Sequence, residues 1–242
     1  TVGGSARDVA LDGTTAYVAN GDGGLLVLDV TDAANLLIIS SLETGGTAEG
    51  VALSGNFAYL ADEDLGLVVV DVSDPANPSI LGSEATPGTA TGVDVVGSLV
   101  YIADGASGLQ VIDVGDPASP TIMGSLDTSD ASDVKVVGGL AYVADGLPGL
   151  RVIDVATPSS PVLLGTANTS NAQGVAVEGD YAYIADGAGG LAIVNISTPA
   201  SPSVVSSMLT RDVATDLVLN GPFAYVSDGV DGFLVVDVNI VA

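Results

Sequence analysis

The chain has 242 residues, of which 30 are acidic and 4 are basic, and it contains neither cysteine nor histidine. The missing residue types exclude disulfides, thiol nucleophiles and Cys/His zinc sites, and the net charge of −26 should repel nucleic acid and anionic lipid. The apolar runs are far shorter than the roughly 18–20 residues that span a bilayer, so we expect no membrane insertion and no nucleic-acid partner.

One motif of 41 or 42 residues occurs six times. Its clearest marker is an apolar strand around a tyrosine, and these tyrosines lie 42, 42, 41, 41 and 42 residues apart, at Tyr17, Tyr59, Tyr101, Tyr142, Tyr183 and Tyr225. A second marker keeps the same spacing at Ala6, Ala48, Ala90, Ala131, Ala172 and Ala214. A fixed period of this length indicates a repeat architecture. We therefore predict one domain, 1–242, with repeats at approximately 1–42, 43–84, 85–126, 127–167, 168–208 and 209–242.

Each repeat, followed along the chain, contains four extended segments and no helical pattern. A short apolar strand such as 51–53 precedes the tyrosine strand, and a tight turn such as 104–108 then leads to a third strand, 109–114. A Pro-bracketed turn such as 74–78 leads to a fourth strand, 79–83. Four short antiparallel strands in each of six repeats predict an all-β, six-bladed β-propeller, with a β-solenoid as the alternative.

The third strands carry a likeness to a known family. Residues 66–72, 108–114 and 149–155 share the pattern Gly-Leu-x-Val-Val/Ile-Asp-Val, and with the tyrosine strands they resemble the LVIVD-repeat propellers of bacterial and archaeal surface and secreted proteins. The resemblance covers nearly the whole chain. It implies a propeller fold, an extracellular or cell-surface location and a scaffold or binding role, and it implies no set of catalytic residues.

The sixth repeat ends early. Twelve residues complete the turn and the fourth strand after Asp71 in the second repeat, whereas five follow the equivalent Asp237. Thr1 aligns with Glu43, at the end of a fourth strand, so neither terminus supplies the outer strand of the last blade. Because Thr1 is not an initiator Met, we expect a mature or trimmed chain. The candidate assembly edge comprises Asp237, Val238, Asn239, Ile240, Val241, Ala242, Thr1 and Val2.

Three interpretations of this unfinished blade remain open. The blade has three strands or the chain is trimmed; another chain donates the missing strand; or the ends of the chain fold differently from the repeat. An open strand edge is a recurrent site for binding an extended segment. Donation repeated head to tail would build a fibre, with copies of the chain or another surface protein as partners.

An acidic or amide residue ends each tyrosine strand. In a propeller these turns share one face, so the six side chains could form a rim that binds a cation or a polar ligand. Ca²⁺ requires six to eight converging oxygens, and the pattern of a calcium loop is absent. We therefore favour repeated turn capping, and we predict no metal and no cofactor. The positions are Asn20, Asp62, Asp104, Asp145, Asp186 and Asp228.

The residues at the start of the first strands differ between the repeats, unlike the framework around them. Such variation is expected of a ligand-facing ring at the mouth of the central channel, and equally of a solvated surface. The positions are Arg7, Glu49, Thr91, Ser132, Gln173 and Thr215.

Two short segments match the N-glycosylation signal, at Asn168-Thr169-Ser170 and Asn195-Ile196-Ser197. Asn195 occupies a turn-capping position, which argues against its modification. Asn168 lies between two repeats and is the better glycosylation candidate.

These observations predict a non-catalytic extracellular or cell-surface module for adhesion or assembly, including fibre formation by strand donation. The alternative is a propeller that binds a ligand or cation at its acidic turn face or channel mouth. A hydrolase or lyase is the third hypothesis, and it would have to use carboxylates such as Glu49, Asp94 or Asp133.

Overall fold

The computed structural model of the chain describes residues 3–239. Within these residues the strands form six antiparallel sheets, one for each repeat, and successive strands of a repeat are neighbours in its sheet. Five sheets have four strands and the last has three. The chain is therefore an all-β, six-bladed β-propeller with a three-stranded last blade, as the sequence predicts.

Contacts divide the chain into two compact units, one ending at Ser125 and the other beginning at Leu126. The first unit contains blades 1 to 3, apart from Leu126, the last residue of blade 3. Blade 1 consists of β1 (Asp8–Asp12), β2 (Thr15–Ala19), β3 (Leu25–Asp29) and β4 (Leu37–Leu42). Blade 2 consists of β5 (Ala48–Ser54), β6 (Phe57–Asp62), β7 (Gly66–Asp71) and β8 (Ser79–Glu84). Blade 3 consists of β9 (Gly92–Val96), β10 (Leu99–Ala103), β11 (Leu109–Asp113) and β12 (Thr121–Leu126).

The second unit contains blades 4 to 6. Blade 4 consists of β13 (Asp133–Val137), β14 (Leu140–Asp145), β15 (Gly149–Asp154) and β16 (Val162–Asn168). Blade 5 consists of β17 (Gly174–Glu178), β18 (Tyr181–Ala185), β19 (Leu191–Asn195) and β20 (Ser203–Met208). Blade 6 consists of β21 (Ala214–Asn220), β22 (Phe223–Asp228), a 3-10 turn (Gly229–Asp231) and β23 (Phe233–Asp237). No helix in residues 3–239 is long and apolar enough to cross a membrane.

A glycine stands at the start of the third strands because the backbone there has a positive φ and lies against the fourth strand. At Gly66, with φ at 77°, an added Cβ atom would collide with backbone atoms of Glu84 and Thr86. Gly232 of the last blade also has a positive φ of 86°, yet a Cβ atom there would meet nothing within 4 Å. Gly232 differs from Gly66 because the described residues include no fourth strand beside it.

Each blade is apolar on both faces, and neighbouring blades within a unit bury these faces against each other. Alternate residues of a strand point to opposite faces of the sheet. Leu25 and Val27 of blade 1 therefore pack towards blade 2, while Val68 and Val70 of blade 2 pack back. Equivalent clusters join blades 2 and 3, 4 and 5, and 5 and 6. Full burial of one such side chain contributes roughly 1.5–3 kcal/mol, so this repeated contact is the main source of stability.

Val69 and Val235 hold equivalent positions in β7 and β23, but Val69 is fully buried and Val235 is largely exposed. We expect Val69→Ala to lower the free energy of unfolding by about 2 kcal/mol, because it removes buried methyl groups and leaves a cavity. Val235→Ala should lower it by less than about 0.5 kcal/mol, as for other exposed positions. Urea unfolding followed by circular dichroism on dilute protein measures both. Equal losses for the two variants would contradict this difference in packing.

Candidate functional site

The aspartates that end the tyrosine strands are buried, and they bind the loop that leads into their own blade. Asp104 accepts hydrogen bonds from the Thr86 hydroxyl at 2.6 Å and from the Gly88 N–H at 2.9 Å. Asp145 accepts the backbone N–H groups of Ser129 and Asp130 at 2.9 and 2.8 Å. We call these contacts the loop clamps. The same arrangement is found at Asp62 with Thr44, Asp186 with Ser170 and Asn171, and Asp228 with Arg211 and Asp212.

This geometry corrects the idea of an exposed acidic rim. All six side chains are buried: Asn20, Asp62, Asp104, Asp145, Asp186 and Asp228. The carboxylates of Asp104, Asp145, Asp186 and Asp228 accept loop N–H or hydroxyl groups, because the loop between two blades folds back over the end of the tyrosine strand. Asp62 Oδ2 accepts the Thr44 hydroxyl, whereas the buried Asp62 Oδ1 has no hydrogen-bond partner among the described residues. The groups that they cap belong to this loop as well as to the following turn. Burial raises the pKa of Asp104, against the hydrogen bonds from Thr86, Gly88 and Gln110.

Asn20 shows that the clamp has a neutral version in blade 1. Its side-chain amide donates to the Gly3 carbonyl at 2.8 Å, and the Ser5 N–H donates to the Asn20 carbonyl at 3.3 Å. Gly3 aligns with Gly45, which lies in the loop between blades 1 and 2. The first described residues therefore occupy the position of an inter-blade loop.

Two further aspartates join the first strands of adjacent blades, and the sequence pattern did not predict this role. The Val51 N–H of blade 2 donates to Asp8 Oδ2 of blade 1 at 2.8 Å. The Val175 N–H of blade 5 donates to Asp133 Oδ2 of blade 4, also at 2.8 Å. Asp133 was a candidate carboxylate for hydrolysis, and this backbone contact gives it a structural role. The sequence did carry a signal for this role, because Asp8 and Asp133 stand where blades 2, 3 and 5 have a glycine.

The variable positions at the start of the first strands are tied to their own blades by backbone hydrogen bonds. Arg7, Thr91, Ser132 and Gln173 each donate an N–H to the second strand. Within the first unit, Arg7 Nε also lies 3.3 Å from Glu49 Oε1. Burial raises the pKa of Glu49, and the Arg7 guanidinium opposes this shift. Thr215 contacts the Ser227 carbonyl through its hydroxyl, at 3.5 Å. Ligand binding by these six residues stays a prediction.

Asn168 is the last residue of β16, and its side chain is exposed. In the register of the sheet it lies opposite Gly149, the first residue of β15. A sugar attached to this side chain would extend into solvent. Glycosylation of Asn168 remains a prediction.

The last blade has an open edge along β23. Within residues 3–239, β23 pairs with β22 alone. The N–H of Asp228 donates to the Gly232 carbonyl, and the N–H of Val238 donates to the Pro222 carbonyl. Because these groups alternate in direction along a strand, the N–H and C=O groups of Phe233, Val235 and Asp237 point away from β22. These three residues form what we call the open edge.

An apolar cleft of about 240 Å³ lies beside this edge. Its walls come from β19 and β20 of blade 5 and from β23 and the residue after it in blade 6. Met208 of β20 is 41% exposed there, whereas the equivalent Ala167 of β16 is buried by the next blade. The lining residues are Leu191, Ile193, Val205, Ser206, Met208, Val236, Asp237 and Val238.

The predicted assembly edge is only partly described. Asp237 ends β23, and its carboxylate accepts the Asn239 N–H at 3.0 Å. Val238 is buried in the core between blades 5 and 6 and also lines the cleft. Its part in assembly stays a prediction. Ile240, Val241, Ala242, Thr1 and Val2 lie outside the described residues.

The acidic side chains do not gather into a metal site in the part of the chain that the structure describes. No group of three or more Asp or Glu residues there could hold a metal ion. The carboxylates of the loop clamps are each separately engaged by loop donors, as described above.

Comparison with known proteins supports the repeat assignment. The LVIVD repeat family matches residues 3–44, 45–86, 87–128, 129–169, 170–210 and 213–239. The chain is similar in structure to the computationally designed Ika8 protein, with a TM-score of 0.74, 10% identity, and coverage of 98% of this chain and 72% of that chain. A functionally unknown protein from Desulfotomaculum acetoxidans gives a TM-score of 0.70 and 12% identity, with coverage of 84% and 69%. At these identities the two structures support the fold alone. No curated protein matches the sequence.

The loop clamps should contribute strongly to stability. Asp104→Ala leaves the partly buried Gly88 N–H without its acceptor, which should cost about 1–3 kcal/mol in the free energy of unfolding. Asp113→Ala is the matched control, because Asp113 also accepts one backbone N–H, from Gly115, but in an exposed turn. We expect the control to lose less than about 1 kcal/mol. Thermal unfolding measures both, and a control that is as damaging as Asp104→Ala would contradict the clamp.

Proposed function

Because this chain belongs to the LVIVD repeat family and its last blade carries an open edge, we propose that it is a non-catalytic interaction module that captures an extended segment of another chain. The captured segment adds a fourth strand to the last blade. Its source is a copy of this protein or another surface protein, and the site of action is outside the cell or on its surface. The observation that carries the proposal is the apolar cleft beside β23.

The backbone of the open edge supports this role. An unpaired strand edge presents N–H and C=O groups that an extended segment can pair with, and each such hydrogen bond adds about 0.5–1.5 kcal/mol. The cleft provides apolar contacts for alternate side chains of the same segment, which is how strand addition achieves specificity. Backbone pairing and apolar contacts would thus both bind the same captured segment along its length.

The complete blades indicate which segment fits. Their fourth strands are short and weakly charged, and some have a glycine in the middle. Gly82 of β8 and Gly165 of β16 lie against the Pro-bracketed turn of the next blade, where a Cβ atom would collide with backbone. The captured segment should therefore be extended and largely apolar or hydroxylated, as β20 is with the sequence Ser-Val-Val-Ser-Ser-Met.

The contacts described above favour this role over the two alternatives. The carboxylates proposed for a cation-binding rim are buried and hydrogen-bonded to protein loops. Of the carboxylates considered for hydrolysis, Glu49 lies against Arg7 and Asp133 accepts a backbone N–H from the next blade. The high net negative charge also favours a protein partner over a nucleic acid or an anionic membrane.

A peptide with the sequence of residues 198–209, which contains the Pro-bracketed turn and fourth strand of blade 5, tests strand capture. We expect the fluorescently labelled peptide to bind the intact protein, as measured by fluorescence anisotropy. The same peptide with proline in place of Val204 and Ser206 should not bind, because proline lacks the N–H that pairing requires.

Two neighbouring valines of β20 provide a matched pair of protein variants. Val205 lines the cleft and Val204 does not, although their exposure is similar. Val205→Asp should weaken peptide binding at least about tenfold, because it places a charge in the apolar cleft. Val204→Asp should leave it nearly unchanged. Binding that is indifferent to Val205→Asp, or that is equally strong for the proline peptide, would refute strand capture at this edge.

A further inference from the structure

Two cavities of similar construction lie between neighbouring blades, at the end of the tyrosine strands opposite the loop clamps. The first lies between blades 1 and 2, within the first unit, and has a volume of about 470 Å³. The second lies between blades 5 and 6, within the second unit, and has a volume of about 570 Å³. Both volumes fall in the range of roughly 300–1,000 Å³ that is typical of small-molecule sites. We call them the inter-blade cavities.

Each inter-blade cavity is formed by equivalent parts of two blades. In the first, one wall is the start of the tyrosine strand of blade 1, and the turns of blade 2 supply Asn56 and Val72 to the other wall. In the second, blade 5 supplies the first wall, and blade 6 supplies Pro222 and Val238 to the other. Asn56 aligns with Pro222, and Val72 aligns with Val238. The two cavities therefore occupy the same place in the repeat.

A nearly buried tyrosine reaches each cavity with a hydroxyl group that no other described residue binds. Tyr17 is 3% exposed and Tyr183 is 6% exposed, and each belongs to the core between its own blade and the next one. Neither hydroxyl makes a hydrogen bond to another described residue, and neither is fully enclosed. Each hydroxyl therefore opens onto the cavity that its tyrosine lines, where it can donate a hydrogen bond to a bound molecule.

A carboxylate lies near this hydroxyl in both blades. Asp12 pairs with the residue two positions before Tyr17, so the two side chains lie on the same face of the sheet. Glu178 holds the same position relative to Tyr183. Burial raises the pKa of Tyr17 and of Tyr183, and the nearby charges of Asp12 and Glu178 raise it further. Neither carboxylate accepts a hydrogen bond from another described residue.

The other blades lack this combination of side chains. The residues equivalent to Asp12 and Glu178 are neutral there: Ser54, Val96, Val137 and Asn220. The residues paired with these four across the hairpin are apolar: Phe57, Leu99, Leu140 and Phe223. Blades 1 and 5 have Thr15 and Tyr181 at that position instead. A polar pair beside the tyrosine thus occurs in the two blades whose tyrosines line the inter-blade cavities.

We infer that the inter-blade cavities bind a neutral saccharide. A sugar hydroxyl donates one hydrogen bond and accepts others, so it needs acceptors and donors side by side. The carboxylates of Asp12 and Glu178 only accept, whereas the tyrosine hydroxyls and the side-chain amide of Asn56 also donate. An apolar residue of the wall such as Leu53 can pack against the C–H groups of a sugar ring. The inference goes beyond the capture of an extended segment and does not rest on it.

The chemistry of the lining favours a neutral sugar over a charged ligand. An anionic sugar would meet Asp12 or Glu178, and no basic side chain is among the described residues that line either cavity. An ammonium group would pair with the carboxylate but has no acceptor, so it would leave the hydrogen of the tyrosine hydroxyl unpaired. A neutral polyol satisfies the carboxylate and the hydroxyl together.

An array of immobilised saccharides tests the inference on the intact chain. The array carries neutral, sialylated, sulfated and amino-sugar oligosaccharides of known structure. We expect binding to neutral members, and isothermal titration calorimetry with the strongest of these should give two sites per chain. Binding confined to sialylated, sulfated or amino sugars, or no binding to any member, would overturn the inference.

Tyrosine variants connect this binding to the cavities. Tyr17→Phe and Tyr183→Phe each remove one hydroxyl oxygen and keep the buried ring, and each should weaken binding at its own cavity roughly three- to tenfold, as expected for one lost hydrogen bond. Tyr59→Phe is the matched control, because it removes the same atom in blade 2, where Ser54 and Phe57 replace the polar pair. It should bind like the wild type. Equal weakening by all three variants would contradict the assignment.

Substitution of the carboxylates provides a second measurement that is less sensitive to folding. Asp12 and Glu178 are exposed, so their replacement by alanine should leave thermal unfolding nearly unchanged. Asp12→Ala and Glu178→Ala should each reduce the calorimetric stoichiometry from two sites to one, because each acts on a single cavity. A chain with both substitutions should not bind the saccharide. Two remaining sites in that double variant would place the saccharide elsewhere and refute the inference.

Discussion

A blade of this protein is a small sheet that is apolar on both faces, and the structure depends on covering both. Inside each unit the cover is the next blade, which is why the alternating third-strand residues are so uniform from repeat to repeat. The loop clamps also help to meet this requirement, because each clamp fixes the loop that connects one blade to the next.

The sequence predicts most of the architecture because the repeat encodes local information six times. The spacing of the tyrosines predicts the number of blades, and the glycine turns predict the hairpins. Each of these signals depends on neighbours within one repeat.

The role of the clamp aspartates could not be read from the sequence in the same way. Asp104 lies next to a turn, so turn capping was the nearest explanation, and its burial depends on a loop that begins some eighteen residues earlier. The bonds from Asp8 and Asp133 span more than forty residues and join different repeats. A comparison of the repeats position by position therefore does not predict contacts between different repeats.

The Pro-bracketed turns differ from the inter-blade loops in one respect that matters for engineering and for divergence. Their aspartates, such as Asp71 and Asp74, are exposed and bind only the next few residues of the same turn. Attachment of an inter-blade loop to a buried aspartate restricts changes in the length of that loop. The carboxylates of a Pro-bracketed turn hold only the turn itself, although the turn backbone also lies against the fourth strand of the preceding blade, as Pro75 does by accepting the Ser40 hydroxyl. Foreign peptides for display are therefore best grafted at the exposed tip of such a turn, as between Ala76 and Asn77, where the contact of Pro75 with the preceding blade stays intact.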